Sequence, residues 1–184
     1  MSTAARRPSS REKLLSAAAD LVAEHGVQHL TIEATAAAAG VTKAGLIYHF
    51  KTRDDLLSAL VEHMVGELDI QTHGKALAES ASSLKSQIDV MEKFTFDMQP
   101  AQKRLLTNML AAATTHPHLL PPVRSLFEKG YTGLDRGPMA GRALLLSAAL
   151  DGLLLIELLQ LHTFSPNQLD SIRSALRDLS RDLS

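Results

Sequence analysis

The sequence predicts an all-α fold, and three observations indicate this class. Apolar residues make up 45% of the 184 positions, which is enough to form a sizeable core. Alanine and leucine dominate these positions, whereas the β-branched residues typical of strands are few. Stretches with helical spacing of apolar residues are separated by Gly, Pro, Ser, Thr and Asp, the residues that begin and end helices.

Four helices are predicted in the first 70 residues. Each follows a residue whose side chain can accept a hydrogen bond from the backbone N–H groups of the first turn. These predicted caps are Ser9, Thr31, Thr42 and Thr52. Gly26 and Gly40 are expected to end the first two helices, and the short third helix runs to about Phe50.

Five further helices are predicted at about 80–97, 100–114, 122–131, 142–162 and 166–181. Prolines at positions 117, 121 and 122 predict a turn over residues 115–122, because a proline inside a helix removes a hydrogen bond and clashes with the preceding turn. Residues 133–141 are predicted to form a loop. Residues 143–161 are apolar on almost every side, but Asp151 lies at their centre, where a charge in a membrane span costs about 2.5–3.5 kcal/mol. We therefore expect a buried helix and no membrane span.

The second and third predicted helices are joined by only three residues, Ala39-Gly40-Val41. Gly40 permits a sharp bend, and we expect Val41 to fill the corner. This spacing is typical of a helix-turn-helix, whose second helix lies in the major groove of DNA. The formal net charge of −1 excludes a broad basic surface, so a nucleic-acid site has to be local.

The candidate DNA-binding residues lie on the third helix and its flanks. Residues 42–45 form its leading end, where side chains meet phosphates and reach base edges. The polar side chains that follow are expected to donate hydrogen bonds to phosphates, and ordinary surface residues are the alternative. The full set is Thr31, Thr42, Lys43, Ala44, Gly45, Tyr48, His49 and Lys51.

The segment 31-TIEATAAAAGVTKAGLIYHFKTRDDLLSAL-60 resembles the N-terminal domain of the TetR/AcrR family of bacterial transcriptional repressors. The resemblance covers about residues 9–60 and is carried by the runs GVTK, GLIYHF and KTR. The GLIYHF form is similar to a subgroup that includes multidrug-responsive repressors. Two positions depart from the family pattern: Ile47, where tyrosine is frequent, and Lys51, where proline is frequent.

The resemblance implies a division of the chain into three parts. Residues 1–9 would be a flexible basic arm, which either enters a minor groove or remains a solvated tail. Residues 10–51 would be the helix-turn-helix DNA-binding domain, and residues 52–184 the ligand-binding and dimerisation domain. It also implies a homodimer that joins through the last two helices, binds a palindromic double-stranded DNA operator, and is released by a small lipophilic effector. The helix at 143–161 independently indicates a dimer, because a helix apolar on all sides needs a partner in so small a bundle.

The candidate ligand-binding residues combine adaptable apolar side chains with one acid. Thioethers and aromatic rings adapt to varied apolar ligands, although each such residue is also compatible with a simple core position. The acid, Asp151, is compatible with pairing to Arg142 or another cation, with a contact across a dimer, or with a cationic ligand. The set is Met64, Phe94, Met98, Met109, Phe127, Asp151 and Leu155.

Several function classes are not supported by any motif. A glycine-rich phosphate loop, a GxSxG elbow and an HExxH sequence are all absent, so we expect neither an enzyme nor a cofactor. The absence of cysteine excludes thiolate metal sites and fits a cytoplasmic protein, and the family resemblance implies a bacterial, DNA-associated one. His116 and His118 are separated by Pro117 in a predicted turn, so we expect no metal there. The alternatives are a helical small-molecule-binding or protein-interaction module, or an activator without a small ligand.

Overall fold

The computed structural model describes residues 9–71 and 83–183, and within these segments the secondary structure is helical, with no β-strand. The α-helices are α1 (Ser10–His25), α2 (Ile32–Ala38), α3 (Lys43–His49), α4 (Arg53–Asp69), α5 (Leu84–Phe96), α6 (Pro100–Thr115), α7 (Leu120–Leu134), α8 (Ala140–Leu158) and α9 (Pro166–Ser180). Short 3₁₀ turns lie at Val27–His29 and Pro117–Leu119. The predicted all-α class is confirmed. The predicted basic arm, apart from Ser9, and the predicted start of a helix near residue 80 lie outside the described residues.

The predicted N-terminal caps are confirmed by hydrogen bonds. Ser9 Oγ accepts from the backbone N–H of Glu12, whose carboxylate accepts from the N–H of Ser9, so the capping box is complete. Thr31 Oγ1 and Thr42 Oγ1 accept from first-turn N–H groups at 3.0 and 3.1 Å. Thr52 exchanges the same pair of bonds with Asp55. Local sequence alone therefore determines where α1 to α4 begin.

The turn between α2 and α3 is built by backbone hydrogen bonds. The N–H of Gly40 donates to the carbonyl of Ala37, and the N–H of Val41 donates to the carbonyl of Ala36, which satisfies two carbonyls at the end of α2. Gly40 has φ +66°, a conformation that glycine adopts without a steric penalty. The expectation that Val41 fills the corner is wrong, since its side chain is 36% exposed.

Three predicted boundaries in the second half of the chain are wrong. Helix α7 begins at Leu120 rather than about 122, because Pro121 and Pro122 occupy its first turn, where a missing N–H removes no helical bond. The predicted loop over 133–141 is shorter, because α7 continues to Leu134 and α8 begins at Ala140. Helix α8 ends at Leu158 rather than about 162.

The chain divides into two compact units. One comprises the chain up to Met64 together with Arg104–Leu119, and the other comprises Val65–Lys103 together with the chain from Leu120 onward. In the second unit α5 packs against α8, and α9 packs against both. Its core residues are Ile88, Leu134, Ala143, Leu146, Leu150, Leu176 and Leu183.

A buried acid joins α5 to α9 within the second unit. Glu92 is 6% exposed, and its carboxylate accepts from the guanidinium groups of Arg173 and Arg177. These hydrogen bonds lower the pKa of Glu92 even though burial alone would raise it. Arg173 also bonds Asp97 at 2.9 Å and lies 5.0 Å from the ring centre of Phe96. The guanidinium of Arg173 thus connects three side chains of the α5 region.

Replacing Arg173 should weaken the fold much more than replacing an exposed arginine, Arg181, that directly follows α9. We expect Arg173→Ala to reduce the free energy of unfolding by about 3 kcal/mol, because it leaves a buried carboxylate with one partner fewer. Arg181→Ala removes only an exposed contact to Asp178 and should cost less than about 0.5 kcal/mol. Urea unfolding of both variants at one protein concentration measures the difference. Equal losses would show that the Glu92 contacts are not a major source of stability.

Candidate functional site

One face of helix α3 packs against the first unit, and the opposite face is exposed to solvent. Leu46 and Phe50, four residues apart, are both buried in the first unit. Tyr48 between them is 86% exposed, and its ring lies edge-on to His49 at 5.2 Å. At the leading end, residues 42–45 are all exposed. The helix therefore presents a continuous outer surface on a fixed base.

The remaining predicted DNA-binding residues flank this surface. His49 is half-buried between the rings of Tyr48 and Phe50, and Lys51 is exposed in the turn before α4. The hydroxyl oxygens of Thr31 and Thr42 accept the capping hydrogen bonds. Their hydroxyl protons remain available for donation to a further acceptor.

An ion pair connects α2 to the first residue of α3. Lys43 Nζ lies 2.6 Å from Glu33 Oε1, and both side chains are exposed, at 60% and 64%. The hydrogen bond from Lys43 lowers the pKa of the Glu33 carboxyl, so Glu33 is ionised at neutral pH. The sequence reasoning missed Glu33, because an acid in the first turn of a helix is already explained by the helix dipole.

Arg53 at the start of α4 is a second residue that sequence reasoning missed. Its Nε donates to the carbonyl of Leu30 and its Nη2 donates to the carbonyl of Val27, both at 2.7 Å. These charge-assisted bonds attach the start of α4 to the segment that precedes α2. No short motif predicts this contact, since its partners are backbone atoms 23 and 26 residues away.

The predicted ligand-binding residues are distributed over both units. Met64 and Met109 belong to the first unit, and Met109 is buried there. The other five belong to the second unit: Phe94, Met98, Phe127, Asp151 and Leu155. Of these, Phe127 and Asp151 share a partner, Tyr131, whereas Leu155 lies on the exposed side of α8.

Asp151 is half-buried on α8 and is hydrogen-bonded to a phenol. Tyr131 Oη donates to Asp151 Oδ2 at 2.7 Å, and the Tyr131 ring stacks on Phe127 with 6.4 Å between centroids. Arg142, the cation considered as a partner, instead pairs with Asp182. Burial raises the pKa of Asp151, and burial together with the hydrogen bond to Asp151 raises the pKa of Tyr131 to about 12. The pairing of Tyr131 with Asp151 was not predicted from the sequence, because residue spacing does not show that α7 and α8 are adjacent.

Two helices of the second unit carry exposed apolar side chains. On α8, Leu145 is 67% exposed, and Leu155 and the C-terminal cap residue Leu159 follow on the same side at helical spacing. Leu179 of α9 is also half-exposed. These two helices therefore leave several apolar side chains in contact with solvent.

Comparison with known protein families decides the identity of the chain. Residues 14–60 match the family described as "Bacterial regulatory proteins, tetR family". Residues 87–181, 95 of the 184 positions, match "Tetracyclin repressor-like, C-terminal domain". The chain belongs to the TetR family. It is a transcriptional regulator with an N-terminal helix-turn-helix and a C-terminal helical domain, and the family is a class of regulators rather than of enzymes.

Individual relatives agree with this assignment. The transcriptional regulator AcrR of Shigella flexneri is 33% identical over 79 residues, which are 41% of this chain and 37% of that protein. Among solved structures, a TetR-family member from Streptomyces coelicolor A3 (SCO1917) is 26% identical with a TM-score of 0.67, covering 94% of this chain and 98% of that chain. The multidrug binding protein EbrR complexed with malachite green is 25% identical, with the same TM-score and coverage. The overall helical arrangement is thus shared along nearly the whole chain.

None of the helices in residues 9–71 and 83–183 has the length and hydropathy needed to cross a membrane. In the same segments, no three histidine, cysteine, aspartate or glutamate residues are grouped so that they could hold a metal ion.

Proposed function

We propose that this TetR-family regulator is a repressor that binds a palindromic operator as a homodimer and is released by a lipophilic cation. The observation that carries the proposal is the surface of α3. An exposed tyrosine, a lysine and small residues at the leading end lie opposite the two buried anchors Leu46 and Phe50. Such a helix can enter a major groove without disturbing the core behind it.

The contacts to DNA follow from the chemistry of each position. Ala44 and Gly45 allow the backbone to approach the groove closely, and Lys43 beside them reaches toward base edges. The phenol, imidazole and ammonium groups of Tyr48, His49 and Lys51 donate to phosphates. In a two-fold dimer the two α3 helices would enter successive major grooves about 34–36 Å apart.

The exposed apolar side chains of α8 and α9 support a dimer through the last two helices. A two-fold axis through this surface would bring Leu145, Leu155 and Leu159 against the same residues of a second copy. Burying an exposed leucine side chain contributes about 1.5–3 kcal/mol, so several pairs can hold a dimer together.

The environment of Asp151 supports a cationic effector. A half-buried carboxylate whose partner is a neutral phenol is destabilised in its ionised form, and a bound cation would offset that cost. The neighbouring rings of Tyr131 and Phe127 provide aromatic faces that attract cations. EbrR, 25% identical to this chain, has been crystallised with ethidium and with malachite green, both aromatic cations.

Release of the operator would follow if the effector and the operator bind different conformations of the protein most tightly. An effector that binds one conformation more tightly shifts the population toward it, and the affinity for the operator falls by the same coupling free energy. Helix α4 is the proposed lever, because its residues up to Met64 belong to one compact unit and those from Val65 to the other.

Binding to an operator is tested by titration with a palindrome from upstream of the protein's own or a neighbouring gene. Wild-type protein should bind saturably, and Lys51→Ala should bind every sequence more weakly. The slope of the logarithm of the binding constant against the logarithm of salt concentration should also become shallower by about one in Lys51→Ala. Lys85→Ala, which removes an exposed lysine paired with Asp89, is the matched control and should leave the slope unchanged. A wild-type protein with no salt-sensitive DNA binding would refute repression. Retained dye binding in that case would favour a helical ligand-binding module.

The dimer surface is tested by placing a charge on it. Leu145→Glu should convert the dimer to a monomer, because each copy would bury an unpaired carboxylate in the apolar interface. Ile47→Glu, which charges an exposed apolar residue of α3, should leave the dimer intact. Sedimentation at several concentrations measures both variants. A dimer that persists in Leu145→Glu would show that this part of α8 is not the interface.

The effector site is tested with Asp151→Asn, which keeps a hydrogen-bond acceptor for Tyr131 but removes the charge. We expect ethidium and malachite green to bind at least about tenfold more weakly, with no such loss in the exposed control Asp135→Asn. Because the folded pKa of Asp151 is raised, its ionisation weakens the fold as pH rises through that pKa. The stability advantage of Asp151→Asn should therefore be small in acid and grow toward neutral pH. Unchanged dye affinity in thermal-shift titrations would remove Asp151 from the site.

A further inference from the structure

The ion pair between Glu33 and Lys43 lies on the surface proposed to meet DNA. Lys43 is the first residue of α3, and Glu33 is in the first turn of α2. Their side chains are exposed and are bonded to each other at 2.6 Å. An acid in this place needs an explanation, because a carboxylate near phosphates is repelled by them.

The pair has no net charge, which limits what Lys43 can contribute. A lysine already neutralised by a carboxylate adds little to the attraction of the phosphate backbone and releases few counterions on binding. Its contribution therefore has to come from directed hydrogen bonds. The Glu33 carboxylate can only accept hydrogen bonds, so it must either meet a hydrogen-bond donor on the DNA or repel the phosphates.

The major groove offers one base pair that matches such a donor and acceptor held side by side. In a G·C pair, guanine presents the acceptors O6 and N7, and cytosine presents the N4 amino donor. Guanine O6 and cytosine N4 are hydrogen-bonded to each other and so lie about 2.9 Å apart. The spacing of the Lys43 ammonium and the Glu33 carboxylate is similar.

An A·T pair fits less well, although it too offers a donor beside an acceptor. The N7 acceptor of adenine would lie next to its N6 donor and repel the carboxylate, and the methyl group of thymine would lie next to the ammonium. Only guanine gives the ammonium two neighbouring acceptors.

We propose that Glu33 and Lys43 act together to recognise one G·C base pair in each operator half-site. Lys43 donates to guanine O6 and N7, and Glu33 accepts from cytosine N4. Glu33 is thereby a specificity-determining residue of the operator contact. This inference rests on the proposed operator binding and adds to it the identity of one base pair.

The backbone holds the two side chains in a fixed relation. Helix α2 is capped by Thr31, α3 is capped by Thr42, and the two hydrogen bonds at Gly40 and Val41 fix the turn between them. Side chains carried by rigid elements lose less entropy when they bind, and they discriminate better than side chains on mobile loops.

The test begins with selection of the preferred sequence by the full-length wild-type protein from a pool of random duplex DNA. Affinities are then measured for the selected operator and for every single base-pair change in one half-site. The proteins are wild type, Glu33→Gln, Lys43→Gln and the double variant. Glu24→Gln, which neutralises an exposed acid of α1, is the matched control and should keep the wild-type preferences.

We expect wild type to prefer G·C at one position by about tenfold or more, and both single variants to lose that preference at the same position. The double variant should lose no more than either single variant, because the two residues act as one unit. Glu33→Gln should also steepen the salt dependence by about one unit of slope, because Lys43 is then free to meet a phosphate. Circular dichroism of each variant confirms that it is folded.

Two results would overturn the proposal. If Glu33→Gln tightens binding to all sequences equally and keeps every base preference, Glu33 is only a source of repulsion. If Glu33→Gln and Lys43→Gln alter different positions, the two residues do not recognise one base pair. In both cases wild type still selects an operator, so operator binding stands. A wild-type protein that selects no sequence would instead overturn operator binding, and this inference with it.

Discussion

The proposed operator surface depends on the burial of Leu46 and Phe50, which attach a helix of only seven residues to the rest of the first unit. An isolated helix of this length is unstable in water, so its conformation has to come from tertiary packing and caps. Arg53 contributes by bonding two carbonyls of the segment before α2, which places the start of α4 against the same small core. Because these contacts use one face of α3, the opposite face can carry side chains chosen for a partner rather than for stability.

Two acids of the second unit, the buried Glu92 and the half-buried Asp151, differ in how their charge is compensated. Glu92 receives hydrogen bonds from two guanidinium groups, which hold its pKa low and join α5 to α9. Asp151 receives one hydrogen bond from a phenol, and burial raises its pKa. A raised pKa without a compensating cation is found at functional sites more often than at structural ones, which is why the proposed effector site uses Asp151 and not Glu92.

Local signals predicted most of the fold, and the errors arose where distant residues decide. The caps at Ser9, Thr31 and Thr42 and the glycine turn were predictable because their partners lie within five residues. The partner of Asp151 was not, because Tyr131 lies 20 residues away on another helix. A role for Glu33 was not predicted for a different reason. An acid in the first turn of a helix is common and is explained by the helix dipole. Only the short distance between Glu33 and Lys43 in the structure indicates a second role.

The near-neutral charge of the chain bears on how such a regulator could both bind and release DNA. With a formal net charge of −1 per chain, the proposed dimer would have no net long-range attraction to the phosphate backbone. Its affinity for DNA would then come from a few contacts at each recognition helix, and its nonspecific binding would be weak. A neutral Glu33–Lys43 pair follows the same pattern, because it adds discrimination between base pairs without adding charge. Each loss of about 1.4 kcal/mol of binding free energy lowers the affinity for the operator tenfold. When few contacts carry that affinity, an effector that displaces only some of them would be enough to release the operator.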